Sequence, residues 1–186
     1  LLLNVMQRMS GIARRTREYV RLLQGTSTQV LDTRKTTPGI RFLEKEAVRI
    51  GGGANHRFGL YDMILIKDNH VDYAGGITAA LDSAFKYRTE QGLHIPIEIE
   101  VRNEEELQEV LNSTDKVDRV MLDNFTPEET EKAVNLIAGR LITESSGGIT
   151  FDTIRAYALA GVDFISVGAL THSVKSLDLS LKAKLI

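Results

Sequence analysis

Residues 96–123 read PIEIEVRNEEELQEVLNSTDKVDRVMLD, and they contain the structural unit that recurs along the chain. The apolar run Pro96–Val101 predicts a strand, and the helical spacing of apolar residues over Glu104–Leu111 predicts a helix. A second apolar run, Arg119–Leu122, predicts another strand. Parallel strands that are buried on both faces have near-continuous apolar sequences, so this order favours a parallel sheet covered by helices.

The same alternation extends in both directions from this unit. A lead-in helix is predicted from Leu3 to about Leu23, and the tail Ser176–Ile186 alternates apolar and polar residues as a further strand would. The six predicted strands are Thr28–Thr33, Met63–Lys67, Pro96–Val101, Arg119–Leu122, Leu141–Glu144 and Asp163–Val167. The helices between them are one ending before Gly51, Gly76–Tyr87, Glu104–Leu111, Pro127–Ile137 and Ile149–Ala158. We therefore predict an α/β fold, a TIM-like β/α barrel that is incomplete, with about six parallel strands.

Composition limits the class of protein. A chain of 186 residues with 42% hydrophobic residues can bury one substantial core. The 23 Lys and Arg residues against 25 Asp and Glu residues give a net charge of -2, which argues against binding to nucleic acid or anionic membranes. The absence of Cys excludes disulfides and thiolate chemistry, and the sequence has neither a membrane span nor a secretory signal. We expect a cytoplasmic protein. We also expect an upstream portion, because the chain opens at Leu1 directly on a helical pattern.

Polar residues follow every predicted strand. In parallel barrels the binding and reacting residues collect at the carboxyl ends of the strands, so we place the candidate site there. The residues in question are Asp32–Gly39, Asn55–Arg57, Lys67–His70, Glu98 with Glu100, Asp123–Asn124, Glu144–Gly148 and Gly168–Thr171.

Charge is segregated along the sequence. Residues 34–70 carry seven Lys or Arg and four acids, whereas residues 96–131 carry twelve acids and three bases. Some of these acids, such as Glu104–Glu109 and Glu128–Glu131, are expected on exposed helix faces. At the strand ends the pattern predicts an anion-binding side and a carboxylate-bearing side of one barrel mouth. Such a mouth suits a small anionic substrate that reacts through a cationic centre, with or without a divalent metal.

Four bases dominate the anion-binding side. Arg34 and Arg57 suit planar carboxylates because a guanidinium group offers two parallel donors, whereas Lys35 and Lys67 act as compact charges. Together they predict a multiply charged ligand, although such bases also pair with acids across loops. A desolvated lysine at a strand end can instead form a Schiff base, so a barrel aldolase that uses Lys67 is an alternative.

Two glycine turns after consecutive strands indicate phosphate binding. Ser146–Ile149 follows a strand and is predicted to open a helix, and Gly168 opens a similar turn after the next strand. The run Gly51–Gly53 either brings backbone near a ligand or links a helix flexibly to the next segment. The spacing of the histidines predicts no metal-binding constellation.

Five motifs follow one another along nearly the whole chain. They are Thr33-Arg34-Lys35-Thr36-Thr37-Pro38-Gly39, Gly51-Gly52-Gly53 with His56-Arg57, Lys67-Asp68-Asn69-His70, Leu122-Asp123-Asn124-Phe125 and Ser146-Gly147-Gly148-Ile149. Their order and approximate spacing resemble the quinolinate phosphoribosyltransferase family, and Asn4–Ala13 resembles the helix that leads into that family's barrel. A related protein associated with molybdenum uptake shares part of this pattern.

The resemblance implies nicotinate-nucleotide pyrophosphorylase activity in NAD biosynthesis. In that reaction quinolinate and phosphoribosyl pyrophosphate give nicotinate mononucleotide, pyrophosphate and carbon dioxide, with Mg²⁺. It also implies roles for individual residues. The implied substrate-binding residues are Arg34, His56, Arg57 and Lys67 for the quinolinate carboxylates, Thr33 in the same motif, and Ser146, Gly147, Gly148, Gly168 and Ala169 for phosphate. The implied catalytic residues are Lys35, Glu100 and Asp123, and the last two face the ribose and hold the metal directly or through water.

The family pattern also bears on domain organisation. In the family an amino-terminal α/β domain precedes the barrel, and an arginine just upstream of the helix that corresponds to Asn4–Ala13 reaches the active site of a neighbouring subunit. This resemblance implies a homo-oligomer. We accordingly predict a lead-in helix over residues 1–25, a barrel phosphoribosyltransferase domain over 26–175 and a segment over 176–186 that packs on the preceding domain. The 186-residue piece alone is expected to be inactive. A non-catalytic phosphate-binding module remains an alternative reading of the residues.

Overall fold

A computed structural model describes residues 1–184 and contains, within that range, six strands that alternate with helices. The strands are β1 (Gln29–Leu31), β2 (Ile64–Ile66), β3 (Ile97–Val101), β4 (Arg119–Asp123), β5 (Ile142–Ser146) and β6 (Phe164–Ser166). The helices are α1 (Leu2–Leu22), α2 (Arg41–Ile50), α3 (Asp68–Ala74), α4 (Ile77–Glu90), α5 (Glu104–Leu111), α6 (Pro127–Ile137), α7 (Ile154–Leu159) and α8 (Ala169–His172). The predicted α/β alternation is confirmed.

All strand pairs are parallel, and the sheet order is β1-β6-β5-β4-β3-β2. The first and last strands in sequence are neighbours, and the others follow in chain order, as around a barrel that is open between β1 and β2. A single parallel bridge between Leu31 and Ala54 extends the sheet into this gap. Residues after the glycine run therefore lie along the free edge of β1.

The side-chain alternation of β3 separates the core from the interior of the curved sheet. Ile97, Ile99 and Val101 are buried in the hydrophobic core, which is shared with the surrounding helices. Glu98 and Glu100 lie at the alternate positions and therefore point to the opposite face of the sheet. Both are buried, so this strand contributes two carboxyl groups to the enclosed side of the fold.

Local sequence signals begin the helices on the acid-rich side. Asn103 accepts a hydrogen bond from the Glu106 backbone N–H at 2.9 Å at the start of α5. At α6, Thr126 and Glu129 exchange side-chain and backbone hydrogen bonds, and Pro127 occupies the first turn. These caps fix where each helix leaves the end of the preceding strand.

The structure corrects three expectations about local elements. Helix α7 begins at Ile154, five residues later than predicted, because residues 149–150 are irregular loop and residues 151–153 form a turn. The short helices α3 and α8 were not predicted at all. No strand forms within residues 176–184, and the last two residues of the predicted tail, 185 and 186, lie outside the described part of the chain. In residues 1–184 no helix has the combination of length and apolar sequence that a bilayer crossing requires.

Helices α1 and α2 pack closely at a glycine. A Cβ atom on Gly51 would lie 2.6 Å from both the Ala13 carbonyl oxygen and the Thr16 Cβ. Gly53 meets Thr16 in the same way, since its Cβ would lie 2.8 Å from the Thr16 methyl group. Gly51 and Gly53 therefore serve close packing against helix α1, a role that neither of the two alternatives from the sequence included.

We predict that Gly51→Ala lowers the free energy of unfolding by about 1–3 kcal/mol, because the added methyl group must push the two helices apart. Urea unfolding followed by circular dichroism measures this change. Ser83→Ala on the exposed face of α4 serves as the control and should change stability by less than about 0.5 kcal/mol. A Gly51→Ala protein as stable as the control would contradict the close packing.

Candidate functional site

A cavity of about 530 Å³ opens at the carboxyl ends of the strands. Alternate residues of β2, β3, β4 and β5 face it, because side chains two apart on a strand point to the same side. The residues that line it are Thr33, Arg34, Lys35, His56, Arg57, Leu65, Lys67, Glu100, Met121, Asp123, Asn124, Glu144, Ser146, Gly147, Gly148 and Ser166. Its volume falls in the range of small-molecule sites.

The structure brings the four predicted bases together at this cavity. Arg34 and Lys35 follow β1, Arg57 follows the segment bridged to β1, and Lys67 follows β2. Burial and the charge of Arg34 lower the pKa of Arg57, so the two guanidinium groups repel one another across the site. This surplus of positive charge favours an anion.

Two of these bases have donors that the protein leaves free. The Nε atoms of Arg34 and Arg57 are buried and have no hydrogen-bond partner within residues 1–184. Arg57 is held from its other end, where Nη1 donates to the Met63 carbonyl oxygen at 3.3 Å. Because a buried donor without a partner is costly, the free Nε atoms indicate that a ligand acceptor completes the site.

Two carboxylates face the bases. Lys67 Nζ lies 3.0 Å from Glu100 Oε2, and the Asn124 side-chain amide donates to Asp123 Oδ2 at 2.6 Å. Glu100 is nearly buried, whereas Asp123 is partly exposed. Carboxylate oxygens are the ligands that Mg²⁺ prefers, and Mg²⁺ is usually held by one or two of them together with substrate phosphates. The donor set therefore fits the predicted metal.

The first glycine turn lies in the cavity wall and has a glycine-specific backbone. Gly147 has a φ of +93°, and a Cβ there would collide with the Asn124 side chain. Because α7 begins only at Ile154, the helix end that was predicted to assist phosphate binding is absent here, and only the turn itself faces the cavity.

The second glycine turn lies just outside the lining. Neither Gly168 nor Ala169 is among the cavity residues. Gly168 is nevertheless close to Lys35, since a Cβ there would lie 3.6 Å from the lysine Cδ. The structure thus places these two predicted residues behind Lys35, apart from the other eleven.

Beneath the cavity lies a buried cluster that linear spacing did not reveal. His56 Nε2 lies 3.0 Å from Glu98 Oε2 and 3.6 Å from Glu144 Oε2. Arg119 Nη1 lies 3.2 Å from Glu144 Oε2 and supplies a positive charge. The expectation that the histidines join no metal-type cluster is wrong in geometric terms, because one His and two Glu ligand atoms lie within 4.8 Å of one another. The Arg119 guanidinium already occupies the place of a cation beside them.

The protonation of this cluster follows from its burial. Burial raises the pKa of Glu98 to about 7, and burial together with the neighbouring Glu98 charge raises the pKa of Glu144 to about 8. Burial also lowers the pKa of His56. The backbone N–H of Arg57 donates to His56 Nδ1 at 2.8 Å, which leaves Nε2 to carry the ring proton. Near pH 7 the carboxyl groups of Glu98 and Glu144 therefore retain protons, and the cluster carries less negative charge than two ionised glutamates would give it.

The two acids of β3 have different positions. Glu100 lines the cavity and contacts Lys67, whereas Glu98 lies deeper and contacts His56. Glu144 was named among the strand-end residues but was given no role, and the lining residues Ser166, Met121 and Leu65 were not predicted. The period-two pattern within each strand gave a usable signal for Glu144, which stands two residues before Ser146.

Known proteins of similar sequence and structure share one description. Residues 12–182 match the family model described as quinolinate phosphoribosyl transferase, C-terminal domain. The chain is 48% identical over 185 residues to a probable nicotinate-nucleotide pyrophosphorylase [carboxylating] of Bacillus subtilis (strain 168). That alignment covers 100% of this chain and 62% of the Bacillus protein. It is 48% identical over 197 residues to the chloroplastic enzyme of Arabidopsis thaliana, with 98% and 56% covered. The structure of the nicotinate-nucleotide pyrophosphorylase from Francisella tularensis superposes with a TM-score of 0.89 at 46% identity, over 96% of this chain and 61% of that one.

We predict that Glu144→Gln reduces the loss of stability between pH 5 and pH 8. The folded pKa of Glu144 lies above the ordinary value, so the folded state keeps a proton that the unfolded state releases, and wild-type stability falls as pH rises through this window. Removing that titration should make the decline shallower by roughly 1 kcal/mol per pH unit at most. Urea unfolding at both pH values measures it. Glu128→Gln, at an exposed position, serves as the control, and identical declines in both variants would contradict the buried protonated state.

Proposed function

The chain belongs to the quinolinate phosphoribosyltransferase family, and from this premise we propose that it carries the catalytic barrel of a carboxylating nicotinate-nucleotide pyrophosphorylase. The proposed reaction joins quinolinate to phosphoribosyl pyrophosphate and yields nicotinate mononucleotide, pyrophosphate and carbon dioxide. The chain spans 62% of the length of its Bacillus relative and 56% of its Arabidopsis relative, so the activity is proposed for the complete protein.

One observation carries the proposal, namely the convergence of Arg34, Lys35, Arg57 and Lys67 on a single cavity. A pyridine with two adjacent carboxylates presents two negative groups on one rigid ring. The free Nε donors of Arg34 and Arg57 match such planar acceptors. Lys67 and His56 extend the same polar wall. A substrate with a single carboxylate would leave part of this positive charge without a partner.

The facing carboxylates serve the sugar. Loss of pyrophosphate develops positive charge at the anomeric carbon, and the cavity-lining carboxylates of Glu100 and Asp123 are proposed to stabilise that charge. Lys35 is proposed to neutralise the departing phosphate groups. Ser146, Gly147 and Gly148 line the cavity with Asp123 and are proposed to bind the phosphate of the ribosyl group. Gly168 and Ala169 are proposed to form a second phosphate turn just outside the cavity lining.

Glu100 and Asp123 are the residues that would hold Mg²⁺, directly or through water. When bound, the ion supplies neutralising charge to the pyrophosphate group. The ring nitrogen of quinolinate attacks the anomeric carbon. Once that nitrogen bears the ribosyl group, its positive charge stabilises the electron pair that the departing carboxylate leaves on ring carbon C2. That carbon then takes up a proton, so carbon dioxide leaves without a further organic cofactor.

No observation favours the aldolase alternative. A Schiff-base lysine must lose its proton before it attacks a carbonyl carbon. Lys67 Nζ instead lies 3.0 Å from Glu100 Oε2, and its side chain is 47% exposed, so Lys67 is not the desolvated lysine on which the aldolase alternative depends. A homo-oligomer and a cytoplasmic location remain predictions from the sequence.

We predict that the complete protein releases labelled carbon dioxide from quinolinate labelled in its 2-carboxyl group, only when phosphoribosyl pyrophosphate is present. Trapping the evolved gas in base measures the reaction. The matched control replaces quinolinate with nicotinate, which has no 2-carboxyl group and should yield no carbon dioxide. Absence of quinolinate-dependent release would refute the proposed reaction and leave phosphate binding alone, or the function of the molybdenum-associated relative, to explain the site.

We predict that Lys35→Ala and Arg57→Ala separate turnover from binding. Lys35→Ala should lower kcat about a hundredfold, since removing one charge that acts on the transition state costs on the order of 3 kcal/mol. Arg57→Ala should instead raise the KM for quinolinate at least about tenfold, because it removes a carboxylate donor. Steady-state kinetics of the complete protein measures both. Lys86→Ala, on an exposed helix surface, is the control, and unchanged kcat in the first variant or unchanged KM in the second would refute that assignment.

A further inference from the structure

Helix α2 carries two consecutive charged side chains that are almost fully buried. Glu44 has a relative exposure of 0% and Lys45 of 2%. Consecutive residues of a helix point about 100° apart, so the two side chains reach different neighbours. Both neighbours are loops that carry cavity bases.

Glu44 holds the loop that carries Arg34 and Lys35. Its Oε2 accepts a hydrogen bond from the Thr37 backbone N–H at 3.0 Å, and its Oε1 accepts from Arg8 Nε at 2.9 Å. Arg8 in turn donates to the Thr171 carbonyl oxygen at 2.7 Å, and the Thr171 hydroxyl donates to the Lys35 carbonyl oxygen at 2.8 Å. The loop backbone is therefore fixed at two points, Lys35 and Thr37.

Lys45 holds the segment that carries His56 and Arg57. Its Nζ donates to the His56 carbonyl oxygen at 2.9 Å and to Asp32 Oδ1. Asp32 Oδ1 also accepts from the His56 backbone N–H at 2.9 Å, and Asp32 Oδ2 accepts from Asn55 Nδ2 at 2.7 Å. The backbone of His56 is thus fixed on both sides, and the next residue is Arg57.

Stability alone does not account for this arrangement. A buried ion pair is often no more stabilising than apolar side chains of similar size, because both charges must leave water. Apolar residues at these positions would, however, supply no donor to the His56 carbonyl oxygen and no acceptor for the Thr37 N–H. The charged side chains of Glu44 and Lys45 therefore fix the position of the backbone in the two loops.

We propose that Glu44 and Lys45 are positioning residues that set the two cationic loops at the separation the substrate requires. Glu44 acts through the loop of Lys35, and Lys45 acts with Asp32 through His56 to place Arg57. The inference rests on the proposed function, since it assigns these loops to quinolinate binding and turnover. Small displacements of such groups are costly, because a shift of about 1 Å can lower a rate on the order of a hundredfold.

The test is steady-state kinetics of Glu44→Gln and Lys45→Met in the complete protein. Lys45→Met is expected to raise the KM for quinolinate about tenfold or more, with a smaller change in kcat, because it frees the His56 and Arg57 segment. Glu44→Gln is expected to lower kcat about tenfold or more, with a smaller change in that KM, because it loosens the loop of Lys35. The two substitutions are adjacent on one helix, yet one should mainly raise KM and the other should mainly lower kcat. General destabilisation would not separate the two parameters in this way.

A double variant separates positioning from folding. Lys45→Met leaves Asp32 buried without its cation, and Asp32→Asn combined with Lys45→Met removes that charge. The double variant should regain stability relative to Lys45→Met, measured by urea unfolding, while its KM for quinolinate stays raised because the His56 carbonyl oxygen still lacks its donor. If Lys45→Met does not fold, the KM for quinolinate of the double variant is compared directly with that of the wild type.

The control is Arg88→Met, which removes the ion pair of Arg88 with Asp118 at 2.7 Å beside the start of β4, at the end of the strands away from the cavity. It should lower stability and leave kcat and KM unchanged. An unchanged KM for quinolinate in the double variant, or an unchanged kcat in Glu44→Gln, overturns the inference while the proposed function stands. A wild-type protein that releases no carbon dioxide from quinolinate overturns both.

Discussion

The gathering of four cationic side chains in one cavity, with repulsion between the Arg34 and Arg57 guanidinium groups, is the constraint on which the rest of the site depends. Arg34, Lys35, Arg57 and Lys67 come from two ends of the opened sheet, on either side of the gap between β1 and β2. Left to themselves, flexible loops would let these charges move apart into solvent. The hydrogen bonds of Glu44 and Lys45 to loop backbone oppose that movement, and they tie both loops to one helix.

The buried cluster beneath the cavity is consistent with the same constraint. Two ionised glutamates below the bases would cancel much of the field that attracts an anion. Burial instead raises the pKa of both Glu98 and Glu144, and Arg119 compensates what charge remains. The cavity floor thus stays near neutral while the wall stays positive. Glu100, one alternation nearer the mouth, keeps its contact with Lys67 and faces the reacting sugar in the proposed mechanism.

Much of the fold and of the site could be predicted because the signals are local. Helix α5 was predicted at its observed bounds because the helical spacing of its apolar residues spans Glu104–Leu111, and the strand that carries Glu98 and Glu100 was predicted from its own apolar residues. Strand ends meet at one edge of a parallel sheet, which is why eleven of the thirteen predicted residues line one cavity. The predicted start of α7 was wrong because the prediction placed the apolar Ile149 at the first position of the helix. Ile149 packs in the core from the loop that precedes the helix. The His56 cluster was missed because its members stand 42 or more residues apart and meet only through the register of the sheet. The roles of the individual residues in the reaction stay predictions.

The central claim is that the four bases form one receptor for a pyridine diacid, and a crystal structure of the complete protein with quinolinate tests it most directly. The account predicts both ring carboxylates in the cavity, with oxygens within about 3.2 Å of the Arg34 and Arg57 guanidinium groups and of Lys67. Quinolinate bound on another surface, or bound in the cavity with neither carboxylate in contact with Arg34 or Arg57, would contradict it.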